Sequence, residues 1–146
     1  MFYEPFHQYF PDLATKETRC VTTFSNNSFG LPADEYALVE SFCNDRKCDC
    51  RRTMLMVISR KNNSQIAVIN FGWESRQFYA KWLGAYDKSE VDELKGPSLN
   101  LMSPQSKYAD KILEMVCSTA LKDENYIERI KQHYKFFKDK IKTKKK

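Results

Sequence analysis

Three of the five cysteines lie close together in the chain, since Cys43, Cys48 and Cys50 fall within eight residues. Thiolates are preferred ligands of Zn²⁺, which takes four Cys or His ligands in most structural sites. Two cysteines separated by one residue can reach the same ion from a tight turn, and the third can approach from the preceding segment. The spacing Cys-x4-Cys-x-Cys therefore predicts a structural zinc site with three of its four ligands in one loop.

The fourth ligand has to come from elsewhere in the chain or from solvent. His7 is our first choice, followed by Cys20 on a neighbouring strand and then by His133. A water molecule in this position would instead make the site potentially catalytic. We therefore predict His7 as the fourth ligand and keep Cys20, His133 and water as alternatives.

Four basic residues surround the cysteines. Three thiolates on one zinc ion leave a net negative charge, which nearby cations would offset. The same cations would lower the pKa of a thiol without any metal. Charged residues also commonly flank a buried strand, so they are compatible with cysteines that bind nothing. These residues are Arg46, Lys47, Arg51 and Arg52.

The chain has 146 residues and a net charge of +5, which predicts one globular domain over 1–146. The basic character is concentrated at the end, because residues 122–146 contain ten Lys or Arg and four Asp or Glu. This pattern is typical of a solvated helix with a Lys-rich tail, here from about residue 142. An anionic partner such as nucleic acid is the alternative.

The sequence also predicts a compartment. It begins without a basic segment followed by an apolar one, and no stretch approaches 18 uninterrupted apolar residues. We therefore expect a cytoplasmic protein without a membrane partner. Thiols are kept reduced in the cytoplasm, so the cysteine cluster indicates a metal or redox site before a disulfide framework.

The N-terminal half reads mainly as strands. Alternating or continuous apolar residues predict strands over 17–24, 52–59 and 65–73. Residues 36–42 fit a strand or a short helix, and we predict a strand because they run directly into the cysteine loop. The 52–59 segment is apolar on both faces and should be central in a sheet. It should form a hairpin with 65–73, and the cysteine loop lies between it and 36–42.

The rest of the chain reads mainly as helices. Helical spacing of aromatic residues before Pro11 predicts a short N-terminal helix that ends at this proline. Ser75 and Gly84 are typical of a helix cap and stop, and Ser103-Pro104 is typical of a helix start. Further helices are expected over 88–94 and 124–141. The predicted fold is α+β, with a small antiparallel sheet from 17–74 packed against C-terminal helices from 75–146.

Several pieces of the N-terminal half resemble a small uncharacterised bacterial family with a Cys-Asp-Cys-Arg-Arg motif. The resemblance implies that this half forms one unit, and it implies no activity. The matching pieces are Glu17-Thr18-Arg19, Glu35-Tyr36, Cys43, Cys48-Asp49-Cys50-Arg51-Arg52 and Phe71-Gly72-Trp73-Glu74.

Motifs for catalysis are missing from the sequence. It has no glycine-rich phosphate loop and no His-Glu-x-x-His, and its two histidines recommend no nucleophile-histidine-acid triad. Three function classes stay open. The first is a non-catalytic zinc module that binds a protein partner. The second is a nucleic-acid-binding module that uses Arg46, Lys47, Arg51, Arg52 and the tail, and the third is a thiol redox or metal sensor that uses Cys48 and Cys50. We predict the first.

Overall fold

The computed structural model describes residues 2–84 and 87–143 and has the predicted α+β fold. Its strands form one antiparallel sheet, and a loop with the three clustered cysteines lies between the third and fourth strands. The strands are β1 (Tyr3–Pro5), β2 (Arg19–Thr23), β3 (Asp34–Cys43), β4 (Arg52–Ser59), β5 (Ser64–Gly72) and β6 (Ser98–Leu99). The helices are α1 (Pro11–Glu17), α2 (Arg76–Leu83), α3 (Lys88–Lys95), α4 (Ala109–Ser118) and α5 (Glu124–Thr143).

The centre of the sheet consists of β3, β4 and β5. As the apolar pattern predicts, β4 lies between the other two and forms a hairpin with β5. Both β1 and β2 pair with β3 along its other edge, β2 at the start of β3 and β1 at its end. The short β6 pairs with the opposite edge of β5.

The core lies between one face of this sheet and the two longest helices. Alternate residues along most of β3 and β4 are buried, and β5 is buried continuously over residues 67–72. A stripe on α4 and a stripe on α5 cover the sheet. None of the helices in the described ranges is long and apolar enough to cross a membrane. The buried side chains from the sheet include Leu38, Phe42, Leu55, Val57 and Ile69, and those from the helices include Ile112, Met115, Ile130, Phe137 and Ile141.

Helix ends follow the capping residues where the sequence indicates them. The Ser75 hydroxyl accepts a hydrogen bond from the backbone N–H of Phe78, and α2 ends at Gly84 with a left-handed φ of 71°. The Asp123 carboxylate accepts from the N–H of Asn125 at 3.0 Å at the start of α5. Both ends of α2 agree with the sequence prediction because capping is a local interaction, whereas the Asp123 cap was not predicted.

The predicted helix before Pro11 is wrong. Residues 3–5 form β1, residues 6–8 form a 3-10 turn, and Pro11 begins α1 rather than ending a helix. Proline is well tolerated at the first helical position, where its missing N–H would have no partner. Tyr3 pairs with Cys43, and Pro5 pairs with Ser41. This long-range strand pairing outweighs the local preference for a helix.

The predicted helix start at Ser103-Pro104 is also wrong, since α4 begins at Ala109. The preceding residues instead run along the edge of β5. The N–H of Asn100 donates to the carbonyl oxygen of Val68 at 2.9 Å, and the N–H of Ser106 donates to that of Ile66 at 3.0 Å. These hydrogen bonds satisfy backbone carbonyl groups of β5 that do not pair with β6.

Candidate metal centre

The ends of two neighbouring strands position the three cysteines. Cys43 is the last residue of β3, and Cys50 lies two residues before β4, so the loop brings both to the same end of the sheet. The Sγ atoms of Cys43, Cys48 and Cys50 all lie within 4.8 Å of one another. Cys43 and Cys50 are buried and Cys48 is partly exposed. The cluster could therefore hold a metal ion, as the spacing predicts.

The geometry fits a metal with sulfur ligands. A zinc–sulfur bond of about 2.3 Å in a tetrahedral site implies sulfur–sulfur separations of about 3.8 Å. The sulfur atoms of the cluster all lie within 4.8 Å of one another, a range that includes this value. The three side chains therefore suit a thiophilic ion without a change in the course of the loop.

Local hydrogen bonds turn the first half of the loop. The carbonyl oxygen of Asp45 accepts from the N–H of Cys48 at 3.1 Å, and its carboxylate accepts from the N–H of Lys47 at 3.0 Å. Asn44 and Phe2 are joined twice, because the N–H of Asn44 donates to the carbonyl of Phe2 and the N–H of Phe2 donates to the Asn44 side chain. This turn brings Cys48 back towards Cys43.

Lys138 of α5 binds the same half of the loop. Its Nζ atom donates to the carbonyl oxygens of Cys43 at 2.8 Å and of Asp45 at 3.1 Å, and the residue is only 6% exposed. Among the residues that the structure describes, no carboxylate forms an ion pair with Lys138. A buried cation without a carboxylate partner therefore lies beside the cysteine cluster.

Two tyrosines hold the second half of the loop. The Tyr134 hydroxyl donates to the carboxylate of Asp49 at 2.7 Å and accepts from the N–H of Arg51 at 3.1 Å. The Tyr79 hydroxyl donates to the carbonyl oxygen of Arg51 at 2.6 Å. Arg51 has a left-handed φ of 52°. The hydrogen bonds to its N–H and to its carbonyl oxygen stabilise this backbone conformation. Helices α2 and α5 thus both fix the approach to Cys50.

The four basic residues of the loop have two different environments. The Arg51 guanidinium pairs with Asp49 at 2.9 Å and Glu74 at 3.4 Å, while Arg52 is 9% exposed. Arg46 and Lys47 are exposed instead. Arg51 and Arg52 are therefore engaged within the protein, and Arg46, although exposed, donates from Nε to the carbonyl oxygen of Ile141.

Arg52 links the cluster to β1 and α3. Its Nε atom donates to the carbonyl oxygen of Leu94 at 2.6 Å, and another guanidinium nitrogen donates to the Tyr3 hydroxyl at 2.7 Å. That hydroxyl lies 3.8 Å from the Sγ atom of Cys50. The buried thiol of Cys50 therefore lies beside a hydroxyl group that Arg52 holds by a hydrogen bond.

The three thiols differ in acidity. A hydrogen bond from the Cys50 thiol, with help from the backbone of Asp45 and the charge of Lys138, lowers the pKa of Cys43 to about 5, although burial opposes this change. Donation to Cys43, together with burial, raises the pKa of Cys50. Burial and then the Cys43 charge raise the pKa of Cys48. Cys43 is thus the most acidic thiol of the cluster, and a metal would displace the protons that the thiols still hold.

The three candidates for the fourth ligand lie outside the group of cysteines. Both ring nitrogens of His133 are occupied, with Nδ1 2.7 Å from a carboxylate oxygen of Glu40 and Nε2 2.7 Å from one of Glu17. Cys20 lies in β2 opposite Ala37, and His7 is exposed in the 3-10 turn after β1. The assignment of His7 stays a prediction.

Sequence reasoning missed Lys138 and Tyr134, although a signal is present. Lys138 follows Tyr134 by four residues and precedes Ile141 by three, so a lysine lies within the apolar stripe of α5. A charged residue on a buried helical face needs a partner. Here that partner is the cysteine loop.

The chain was compared with protein-family models, with curated proteins and with solved structures, and none of them matches it. The resemblance to the Cys-Asp-Cys-Arg-Arg family therefore stays a prediction. The function has to be argued from the site itself.

Proposed function

We propose that this chain is a small zinc protein in which Cys43, Cys48 and Cys50 hold one structural Zn²⁺, and that it acts as a non-catalytic module that binds another protein. The observation that carries the proposal is the approach of three thiol sulfurs within 4.8 Å of one another at the junction of β3 and β4. His7 is the first choice to complete the four ligands of the ion.

Zinc fits the charge around the cluster. Three thiolates and one Zn²⁺ have a net charge of −1, which is costly to bury unless a cation lies nearby. Lys138 supplies this cation from α5, with Nζ 2.8 Å from the carbonyl oxygen of Cys43. A buried lysine without a carboxylate partner is best explained by an anionic centre beside it.

The metal would tie the sheet to the helices. The cysteine loop contacts α5 through Lys138 and Tyr134 and contacts α2 through Tyr79. An ion that fixes the three cysteines would fix these contacts as well, so its binding free energy would add to the folding free energy. This is the expected behaviour of a structural site.

A redox role fits the cluster less well. A sensor cysteine needs a thiolate that is also accessible to an oxidant. Cys43 is fully buried, whereas the partly exposed Cys48 has a raised pKa. Because acidity and access belong to different residues, metal binding is the better use of this cluster.

The role in protein binding is supported by exposed apolar side chains. Leu101 and Met102 are consecutive and are 78% and 94% exposed. Large apolar side chains gain free energy when a partner removes them from water. They lie in the segment after β6, away from the cysteine loop along the chain.

Cobalt(II) substitution tests the metal site. Metal-free protein titrated with Co²⁺ under reducing conditions should show thiolate-to-metal charge-transfer absorption that saturates at one equivalent. Its visible bands should be those of a four-coordinate ion. Cys43→Ser, Cys48→Ser and Cys50→Ser should each weaken the charge-transfer band, while Cys20→Ser and Cys117→Ser serve as matched controls with no expected effect. His7→Gln should shift the visible bands only if His7 is the fourth ligand.

Two results would contradict the proposal. One is a cobalt spectrum without thiolate absorption, because the ion would then be bound elsewhere. The other is an equal loss of absorption in the control variants Cys20→Ser and Cys117→Ser, because the cluster would then have no special part in binding.

A further inference from the structure

A basic cleft lies between the cysteine loop and the C-terminal part of α5. Its volume is about 250 Å³, and cationic side chains line both of its walls. The loop contributes Arg46 and Lys47, and the helix contributes Lys135, Lys138 and Lys142. Two carboxylates, of Asp49 and Asp139, also border it.

Among the described residues, Lys47, Lys135 and Lys142 form no ion pair. Asp49 is already engaged by Arg51 at 2.9 Å and by the Tyr134 hydroxyl at 2.7 Å. The cleft therefore has an excess of positive charge, which attracts anions.

Parts of the cleft are held in place before any ligand binds. The Nε atom of Arg46 donates to the carbonyl oxygen of Ile141 at 3.1 Å, which fixes this side chain against the end of α5. The ammonium group of Lys138 is fixed by the two loop carbonyls that it contacts. A preorganised group of cations loses less entropy when it binds a ligand.

The position of the lysines on α5 does not by itself explain the cleft. Lysines in the last turns of a helix are favourable because the helix C terminus has a partial negative charge. On the opposite wall, Arg46 donates to the Ile141 carbonyl in this last turn, but Lys47 lies in a loop away from the helix end. The positive charges of the loop and of α5 repel one another in the cleft, and an anionic ligand would offset this repulsion.

We propose that this cleft binds a phosphate-bearing ligand. A phosphate group can accept hydrogen bonds from several cations at once, and lysines are common phosphate-binding residues. Lys135 and Lys142 are about 10 Å apart along the helix axis at 1.5 Å per residue, so the row can contact more than one phosphate. The ligand is either a small molecule with linked phosphates or the backbone of a single-stranded nucleic acid. The inference does not require the metal.

Fluorescence anisotropy with a short labelled oligothymidylate tests the proposal, with inorganic pyrophosphate as the competitor. Lys135→Gln combined with Lys142→Gln should weaken binding of the probe about tenfold at low salt. The dependence of log K on log salt should become shallower by about 1.4, as expected for two lost contacts to a single strand. Lys47→Gln, on the other wall, should weaken binding by a smaller factor.

A control pair with the same change in charge separates the cleft from the overall charge of the protein. Lys122→Gln combined with Lys140→Gln should leave binding almost unchanged. Lys140 borders a different cleft with Phe10 and Phe136, and Lys122 lies before α5 begins. The replaced lysines are exposed, so equal melting temperatures should confirm that all variants fold.

The competition distinguishes the two sources of phosphate. Displacement of the probe by pyrophosphate supports a cleft that recognises linked phosphates on a small molecule. If pyrophosphate does not displace the oligonucleotide, but replacement of Lys135 and Lys142 weakens its binding, the result supports a cleft that recognises the backbone of a nucleic acid. If the probe does not bind, direct titration with pyrophosphate should still show binding that depends on this pair.

Four results would overturn the proposal. The first is that neither probe binds at low salt, and the second is that the control pair weakens binding as much as the Lys135/Lys142 pair does. The third is that Lys47→Gln leaves binding unchanged. The fourth is that polyglutamate displaces the probe as effectively as pyrophosphate does. The last result would show that the cleft recognises negative charge and not phosphate.

Discussion

The ammonium group of Lys138 donates a hydrogen bond of 2.8 Å to the carbonyl oxygen of Cys43, and both residues are buried. Cys43 ends β3 and contributes one of the three clustered thiols, while Lys138 lies 95 residues later on α5. This contact joins the end of the sheet to the last helix. It also places a cation beside the proposed zinc–thiolate centre.

Replacement of Lys138 by methionine should destabilise the protein. The carbonyl oxygens of Cys43 and Asp45 would lose their donor, and leaving such groups unsatisfied costs about 1–3 kcal/mol. Removal of the charge should also weaken metal binding about tenfold or more, as loss of outer-shell partners does in other sites. Urea denaturation and competition with a zinc indicator measure the two effects.

Lys140→Met is the matched control, because Lys140 is exposed on the same helix. It should change neither the free energy of unfolding nor the metal affinity. If Lys138→Met and Lys140→Met behave alike, the contact between Lys138 and the cysteine loop has no energetic weight.

Much of the sheet could be predicted from sequence because its signals are local. The apolar segment 52–59 and its partner 64–72 are adjacent in the chain, and Ser75 caps its own helix. The three cysteines are also close in sequence, so their cluster was predictable. Local spacing is enough for these features.

The features that the sequence did not reveal depend on distant contacts. Residues 3–5 form a strand only because they pair with the end of β3. Lys138 and Tyr134 reach the cysteine loop from more than 80 residues away. His133, the third choice for the fourth metal ligand, lies between Glu40 and Glu17. Such pairings depend on tertiary structure, which periodicity does not encode.

Stability should fall with rising pH through His133. Burial lowers the pKa of this imidazole, but hydrogen bonds and charges of Glu40 and Glu17 more than offset the effect, so its pKa is raised from 6.5. The folded protein therefore holds this proton more tightly than the unfolded chain. The resulting stabilisation is fully present below pH 6.5 and is lost as the pH rises through the folded pKa.

The comparison of the wild type with His133→Gln isolates this contribution. The melting temperatures of both proteins are measured with saturating zinc from pH about 6 to about 8. The pH dependence that comes from the cysteines is the same in both proteins and cancels in the difference. The difference between the two curves should shrink as the pH rises. A constant difference would show that the proton on His133 does not stabilise the fold.

Gly72→Ala should weaken the protein through Tyr79. A methyl group at position 72 would overlap the Tyr79 hydroxyl, which donates to the carbonyl oxygen of Arg51 in the cysteine loop. Overpacking of this kind costs about 1–3 kcal/mol. Because the overlap displaces a contact to the loop, metal affinity measured by competition with a zinc indicator should fall too.

Gly84→Ala provides the contrast. A methyl group there meets no atom within 4 Å, but the residue has a positive φ of 71°. It should therefore lower stability by about 1 kcal/mol through the backbone alone and leave metal affinity unchanged. Equal metal affinities in the Gly72 and Gly84 variants would contradict the link between Tyr79 and the site.

Serine at Cys48 or Cys50 should lower the free energy of unfolding by about 4 kcal/mol or more in zinc-containing buffer, because the metal contributes to folding. Cys117→Ser, outside the cluster, should have a much smaller effect. If Cys48→Ser and Cys50→Ser both melt like the wild type, the metal has no structural role.

The most direct measurement is the metal content of tag-free protein purified without chelator, combined with a count of reactive thiols. We predict about one zinc per chain, with Cys43, Cys48 and Cys50 protected from a thiol reagent until the metal is removed. Protein without metal, with the cluster thiols reacting at once, would contradict the structural zinc site.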